Sequence, residues 1–434
     1  MGSIMEKKVK IALIIILIVV GGISGVLVLF LFQTGQPSRF TLKWTFKTGA
    51  MIYYTSPAID GDYIYIADNH KWFADRDGYV LSDHYYLYKL YKSNGTLIWK
   101  YDCGPREIRG GPTIGDNHLI YIVGEEHNAT GYRKRDILYA INPDGTLNWS
   151  RVIVSDIPAL YNGTYPSEKQ MNWPIGLFNM AIDKQGNVYV AGNYFSSFYG
   201  NNGTLRWNVS TTAPSLTAPL VFNDTVYFIE RTYNFGRIVA YTLDGTWKWS
   251  VGNETHPFNY QLSCDDNGNL YGGGKNVVHK VNPDGKMIWT CHLGGDAGDV
   301  RGNIAVDSDG TLFLGTKNDE NSKLFAIYPN GTIKWKYASP LRDVYSSPAI
   351  GTDGNIYFAS EDRKIFAINK RDGTLNSTFY LTDDVTWSSV IIDNNMVYIG
   401  DMSGRLYALE VKGLLLATTP WPCLGRNAYR NYRF

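Results

Sequence analysis

The sequence predicts an all-β fold, an eight-bladed β-propeller with four-stranded blades, preceded by one N-terminal transmembrane helix. Three observations predict it. A tight turn followed by a tryptophan-bearing strand recurs: NPDGTLNW at 142–149, NPDGKMIW at 282–289, and SNGTLIW, NNGTLRW, LDGTWKW and PNGTIKW ending at Trp99, Trp207, Trp249 and Trp335. Upstream of most of these lies another Asp/Asn-Gly hairpin, as in NIAVDSDGTLFLG before LFAIYPNGTIKW. The spacing is regular: Trp249 to Trp289 is 40 residues and Trp335 to Ser377 is 42, against about 40–50 for propeller repeats.

Each unit reads as four short strands, A to D, joined by turns. In NPDG, Pro143 presets φ for the first corner, Asp144 suits the second, and Gly145 takes the left-handed conformation that returns the chain. Alternation along the next strand predicts Leu147 and Trp149 on one face, Thr146 and Asn148 on the other. Such a sheet cannot cover both of its faces alone. Stacked around an axis, each sheet covers the next. The strand-D tryptophans Trp44, Trp99, Trp149, Trp207, Trp249, Trp289 and Trp335 then dock one blade on its neighbour. Fully buried, such an aromatic covers about 150–250 Å².

The eighth strand-D position is Ser377, where the tryptophan is lost. Strands A begin near Thr55, Gly110, Asn179, Thr217, Gln261, Gly302, Ser346 and Ser388. Trp44 comes before any strand A, and the last A–B–C set has no strand D after it. The N-terminal strand therefore completes the last blade, which joins the two ends of the ring and removes open sheet edges. Insertions interrupt the spacing at 69–84 and 152–177.

The first segment stands apart. Lys7, Lys8 and Lys10 precede 22 uncharged residues, 11–32, and about 20 apolar residues suffice to cross a bilayer as a helix. The lysines stay cytoplasmic, which makes this an uncleaved signal anchor; an unusually long signal peptide is the alternative. The expected organisation is a cytoplasmic 1–10, a span 11–32, a linker 33–41, the propeller 42–418 and a tail 419–434, with the propeller outside the cell. Ten Asn-x-Ser/Thr sequons follow the span. Turn chemistry explains Asn94, Asn162, Asn202 and Asn330; Asn128, Asn223 and Asn253 lack that explanation and are the glycosylation candidates. A net charge of +1 offers no broad basic surface, so nucleic acid is not an expected partner. The four cysteines form no C-x-x-C pair.

The motif AINPDGTLNW at 140–149 resembles the tryptophan-docking repeat of the quinoprotein-like, PQQ-binding-like β-propellers. The tail TPWPCLGRNAYR at 419–430 is similar to a W-P-x-x-x-R-N-x-x-R segment that flanks them. The resemblance covers roughly 42–430 and implies the fold. The Gly-His and Trp-Asp pairs of WD repeats are absent. The family includes alcohol dehydrogenases that hold pyrroloquinoline quinone (PQQ) and calcium in the central funnel, with a disulfide between adjacent cysteines. No adjacent pair occurs here, so PQQ and calcium are the lesser expectation. Cys103 with Cys423 is the least strained pairing of the four. The family also includes a noncatalytic lipoprotein scaffold of outer-membrane assembly. No cysteine precedes Cys103 to carry its lipid. The sequons point instead to a glycosylated cell surface, of archaeal type.

Candidate site residues lie before strand A. Glu107-Ile-Arg109, Asp299-Val-Arg301 and Asp343-Val-Tyr345 superpose, and Asp384-Val-Thr-Trp387 matches with one extra residue. Strand A lines the axis, so these acids ring one mouth of the channel. Clustered carboxylates bind hard cations such as calcium; the other reading is a solvated rim, neutralised by Arg109 and Arg301. Asp307-x-Asp309-Gly and Asp75-x-Asp77-Gly begin like calcium loops but lack the downstream Glu, and a hairpin explains the first. The seven histidines are scattered, with no ligand spacing on one strand. Trp72, Phe73, Tyr161 and Trp173 in the insertions are partner-loop candidates. The expected function is a membrane-anchored, noncatalytic module that binds a protein or glycan; the alternative is a PQQ-dependent oxidoreductase.

Overall fold

Glycine at the C–D turn decides how neighbouring blades meet. In seven blades this glycine has positive φ, from +66° at Gly203 to +91° at Gly145 and Gly245. The tryptophan of the preceding blade lies flat against it. A Cβ on Gly203 would come within 2.4 Å of the Trp149 ring, and one on Gly145 within 2.9 Å of Trp99. Each indole N–H also donates to a carbonyl of that turn: Trp44 to Lys92 at 3.0 Å, Trp99 to Pro143 at 3.0 Å, Trp149 to Gly200 at 2.9 Å, Trp207 to Leu243 at 2.9 Å, Trp249 to Pro283 at 3.0 Å, Trp289 to Pro329 at 3.0 Å and Trp335 to Lys370 at 3.2 Å. Such bonds are worth about 1 kcal/mol each. The recurring motif is therefore a lock: its turn receives one tryptophan and its strand sends another onward.

The computed structural model describes residues 39–69, 84–104, 106–108, 110–127, 133–155, 180–192, 194–211, 217–231, 235–337, 341–385 and 387–427. Residues 38–434 form one compact unit of eight antiparallel sheets in the order A-B-C-D. Blade eight is built from Ile391–Asp393, Met396–Gly400 and Arg405–Glu410, and its strand D is Thr41–Lys47. Trp44 pairs with Ala408 and Phe46 with Leu406, so the N-terminal strand closes the ring as the repeat count predicts. The expected span 11–32 and the linker up to residue 38 lie outside the described residues. Among the described residues no helix is long and apolar enough to cross a membrane.

Strict alternation on strand D does not hold. In all eight blades the C–D register slips by one residue just before the docking position, between Leu147 and Trp149 for example. This β-bulge resets the phase of the strand. Leu147 is 45% exposed while Trp149 is 6% exposed, so the two do not share a face. Nor is the indole always deeply buried: Trp149 is, and the other six are half-buried. On the inner side, a buried strand-B aromatic meets the tryptophan of its own blade, Tyr121 with Trp149 at 5.9 Å between ring centroids and Tyr227 with Trp249 at 5.7 Å. Cys103, Cys264, Cys291 and Cys423 are all buried thiols, and the Cys103–Cys423 bridge is not formed.

Candidate site at the axis mouth

Strand A is the innermost strand of each blade, so the residue entering it arrives at the axis. Those residues are Tyr54, Tyr260, Arg301, Tyr345 and Trp387, from blades one, five, six, seven and eight. They meet. Trp387 packs on Tyr345 at 4.8 Å, Tyr260 at 6.2 Å and Tyr54 at 6.4 Å between ring centroids. The Arg301 guanidinium lies over the Tyr260 and Tyr345 rings, 5.2 and 5.4 Å from their centroids, a cation–π arrangement. Below this girdle, serines tie the inner strands together. The backbone N–H of Ser389 donates to Ser56 Oγ at 2.8 Å, that of Ser347 to Ser389 Oγ at 2.9 Å, and that of Asn303 to Ser347 Oγ at 2.9 Å.

The four predicted acids have different surroundings. Asp343 is buried and accepts from Ser322 Oγ at 3.0 Å and the Tyr345 hydroxyl at 3.1 Å, with Lys317 Nζ at 3.3 Å. Asp299 faces Lys317 in the ladder and lies 3.4 Å from Arg301 Nη2. Asp384 accepts from Arg363 Nε at 2.8 Å and lies 3.7 Å from Arg342 Nη1. Glu107 sits in a short strand, Arg106–Ile108, of blade two, opposite Glu125. The strand Asp299–Val300 pairs in the same way in blade six, so the two approaches are structurally equivalent. Blades six to eight thus carry one contiguous patch of paired charges, and Glu107 stands in a blade that does not adjoin it.

Glu361, which the sequence did not single out, joins that patch from the B–C loop of blade seven. Burial pushes its carboxyl up to about 7, and the charges of Asp343 and Asp384 push the same way. Among the described residues no group of three or more His, Cys, Asp or Glu is arranged to hold a metal. Asp307 is held by Lys370 Nζ at 2.7 Å, and Asp309 accepts from the Thr311 N–H at 2.8 Å, so the hairpin accounts for this pair. Burial also pushes the Cys264 and Cys291 thiols up, away from the reactive thiolate form.

Toward the far end of the axis the tail pairs with the strand-A region of blades six and seven. Val306 N–H donates to Trp421 O at 2.8 Å, Ile350 N–H to Pro422 O at 2.9 Å and Thr352 N–H to Leu415 O at 2.9 Å. The Trp421 side chain is fully buried there.

Arg109, Trp72, Phe73, Tyr161, Trp173 and Asn128 lie outside the described residues. Of the other glycosylation candidates, Asn223 occupies an A–B turn at φ +50°. Asn253 Oδ1 accepts from the Thr255 N–H at 3.0 Å and the His256 N–H at 2.9 Å. Both therefore have turn roles that the sequence reading denied them. Tyr260 was missed, yet a signal existed: it immediately precedes a strand-A start, as Arg301, Tyr345 and Trp387 do.

A family model described as outer membrane protein assembly factor BamB matches residues 134–264 and 274–420, more than half of the chain. BamB from Moraxella catarrhalis is similar in structure, with a TM-score of 0.61 and 15% identity over 86% of this chain and 99% of that one. The computationally designed Ika8 protein gives 0.62 and 12% over 85% and 99%. A europium-containing methanol dehydrogenase gives 0.62 and 11% over 86% and 93%. At these identities the likeness is one of fold. No curated protein matches the chain.

Proposed function

We propose, for a chain that belongs to the propeller family described as outer membrane protein assembly factor BamB, a noncatalytic role as a docking scaffold. The apolar segment 11–32 anchors it, the propeller stands outside the cell, and the axis mouth receives an acidic segment of a partner protein. Arg301 is the observation that carries this reading. Its guanidinium is clamped by two tyrosines; among the described residues its Nε is buried without a hydrogen-bond partner, and its ion-pair contact, to Asp299, is long at 3.4 Å. A planar, clamped guanidinium with spare donors suits a carboxylate. Arginine, tyrosine and tryptophan are also the side chains that anchor protein interfaces.

Proximity labelling on the intact cell surface, with the full-length chain and its R301Q and W387A variants, tests the reading. A set of labelled proteins lost in both variants, at equal expression, is the expected result; the same set in all three overturns it. A glycan partner would survive protease treatment of the labelled surface. PQQ and calcium added to the purified full-length chain give the other outcome: a stoichiometric visible chromophore with alcohol-dependent dye reduction would make the chain an oxidoreductase.

A further inference from the structure

We propose that Asn94, Asn202, Asn223 and Asn330 carry N-linked sugar, so that the disc face formed by the A–B and C–D turns, opposite the Arg301 mouth, is glycan-coated. This rests on the external placement proposed above.

Eight of the ten sequon asparagines fall among the described residues, and all eight are exposed. They differ in what the side-chain amide is doing. The Asn148 Nδ2 donates to Asn142 Oδ1 at 2.8 Å, and the Asn376 Nδ2 donates to Asn355 Oδ1. Those two amides are spent. In Asn94, Asn202 and Asn330 only Oδ1 works: it accepts the N–H of the threonine two residues on, at 3.0, 2.9 and 3.1 Å. Asn223 sits in its turn at φ +50°. Among the described residues, none of these four donates a hydrogen bond from Nδ2.

The turn does not require asparagine. Asp144 and Asp372 hold the same C–D position and accept the same threonine N–H, each at 3.0 Å. Asparagine adds one thing to that role, an outward-facing amide. The turn role and the acceptor role are therefore compatible, which the sequence alone did not reveal.

Topology supplies the sidedness. In an antiparallel meander the A–B and C–D turns share one end and the B–C turn lies at the other. Asn94, Asn202 and Asn330 are in C–D turns of blades one, three and six, and Asn223 is in the A–B turn of blade four. All four therefore crown the same face. Asn208 lies on an outer strand, and among the described residues Asn253 is the sequon asparagine that follows a strand D on the mouth side.

The chemistry is a glycosyl transfer. The asparagine Nδ2 attacks the anomeric carbon of an oligosaccharide carried on a polyprenyl phosphate or diphosphate. A carbon–nitrogen bond forms, the anomeric carbon–oxygen bond breaks, the lipid phosphate leaves with the electron pair, and the amide gives up one proton.

Glycopeptide mass spectrometry of the full-length chain from its native membranes tests this. Sugar on Asn94, Asn202, Asn223 and Asn330, with Asn148 and Asn376 bare, is the expected pattern. The first four bare, or Asn148 and Asn376 equally occupied, overturns it. N94D, N202D and N330D keep the turn acceptor and remove the amide. Each should lose the mass of one oligosaccharide at an unchanged thermal midpoint. Biotinylation of propeller lysines on intact cells separates the two proposals: labelled lysines with bare asparagines sink this one only, and unlabelled lysines sink the external placement.

Discussion

Phe40 stands edge-on to Tyr357 with 5.9 Å between ring centroids. In the other blades the strand-B aromatic meets the tryptophan of its own strand D at similar distance, as Phe313 meets Trp335 at 5.8 Å. Blade seven has Ser377 there, and Phe40 supplies the missing ring from the N-terminal entry. Ser377 Oγ accepts the Arg39 N–H at 3.1 Å, and Arg39 Nη2 reaches Asp353 at 2.8 Å. The tryptophan is absent for a topological reason. Blade eight has no C–D turn to receive it, because its strands C and D come from opposite ends of the chain.

Phe40→Ala should therefore act like the loss of a core aromatic, costing about 3–5 kcal/mol by analogy with other buried Phe→Ala changes. Ser377→Trp should destabilise too, although it restores the repeat consensus, because Phe40 already fills the space. Urea denaturation reads both. A stabilised S377W chain would contradict this account of the closure.

The turn glycines separate strain from docking. Gly203→Ala and Gly354→Ala both place a Cβ at positive φ, +66° and +81°, but only the first meets an indole; around Gly354 nothing lies within 4 Å. Gly354→Ala should cost about 1–2 kcal/mol from backbone strain alone. Gly203→Ala should cost more, and Trp149→Ala in the same chain should remove the excess. Equal losses for the two glycines would mean that the indole contact contributes nothing.

Acid should weaken the ring at blade five. The His279 ring packs on Phe258 at 4.9 Å and on His256 at 5.6 Å, and its Nδ1 lies 3.0 Å from Thr290 Oγ1. Burial first, then the neighbouring His256 and His292, push its pKa from 6.5 down to about 4. The unfolded chain then binds the extra proton between these values, so stability falls as pH drops from 6.5 toward 4. His279→Asn should flatten the slope of thermal midpoint against pH in that window; an unchanged slope assigns it elsewhere.

Glu361 gives the opposite slope. Its carboxyl is raised from 4.5 to about 7, so the folded chain binds the extra proton and stability falls as pH rises between those values. The facing groups are Asp343, Asp384, Lys317 and Arg342, the last with Nη2 at 3.8 Å. Glu361→Gln should raise the thermal midpoint at pH 8 and leave it nearly level with the parent at pH 4.5. A variant that is less stable at pH 8 would mean that the Arg342 pair outweighs desolvation.

The sequence by itself determined the blade count, the closing strand and the docking tryptophans. Each rests on short-range chemistry, a turn glycine and an aromatic a few residues apart, written out blade after blade. Tertiary structure decided the rest. The strand-D bulge, visible only once strand C is alongside, sends Leu147 outward and Trp149 inward. The girdle of Tyr54, Tyr260, Arg301, Tyr345 and Trp387 exists because the ring brings five distant strand starts to one axis, and no local pattern encodes that convergence. Likewise an asparagine reads the same whether its amide is spent, as in Asn148, or idle, as in Asn202, until the partners across the fold are in place.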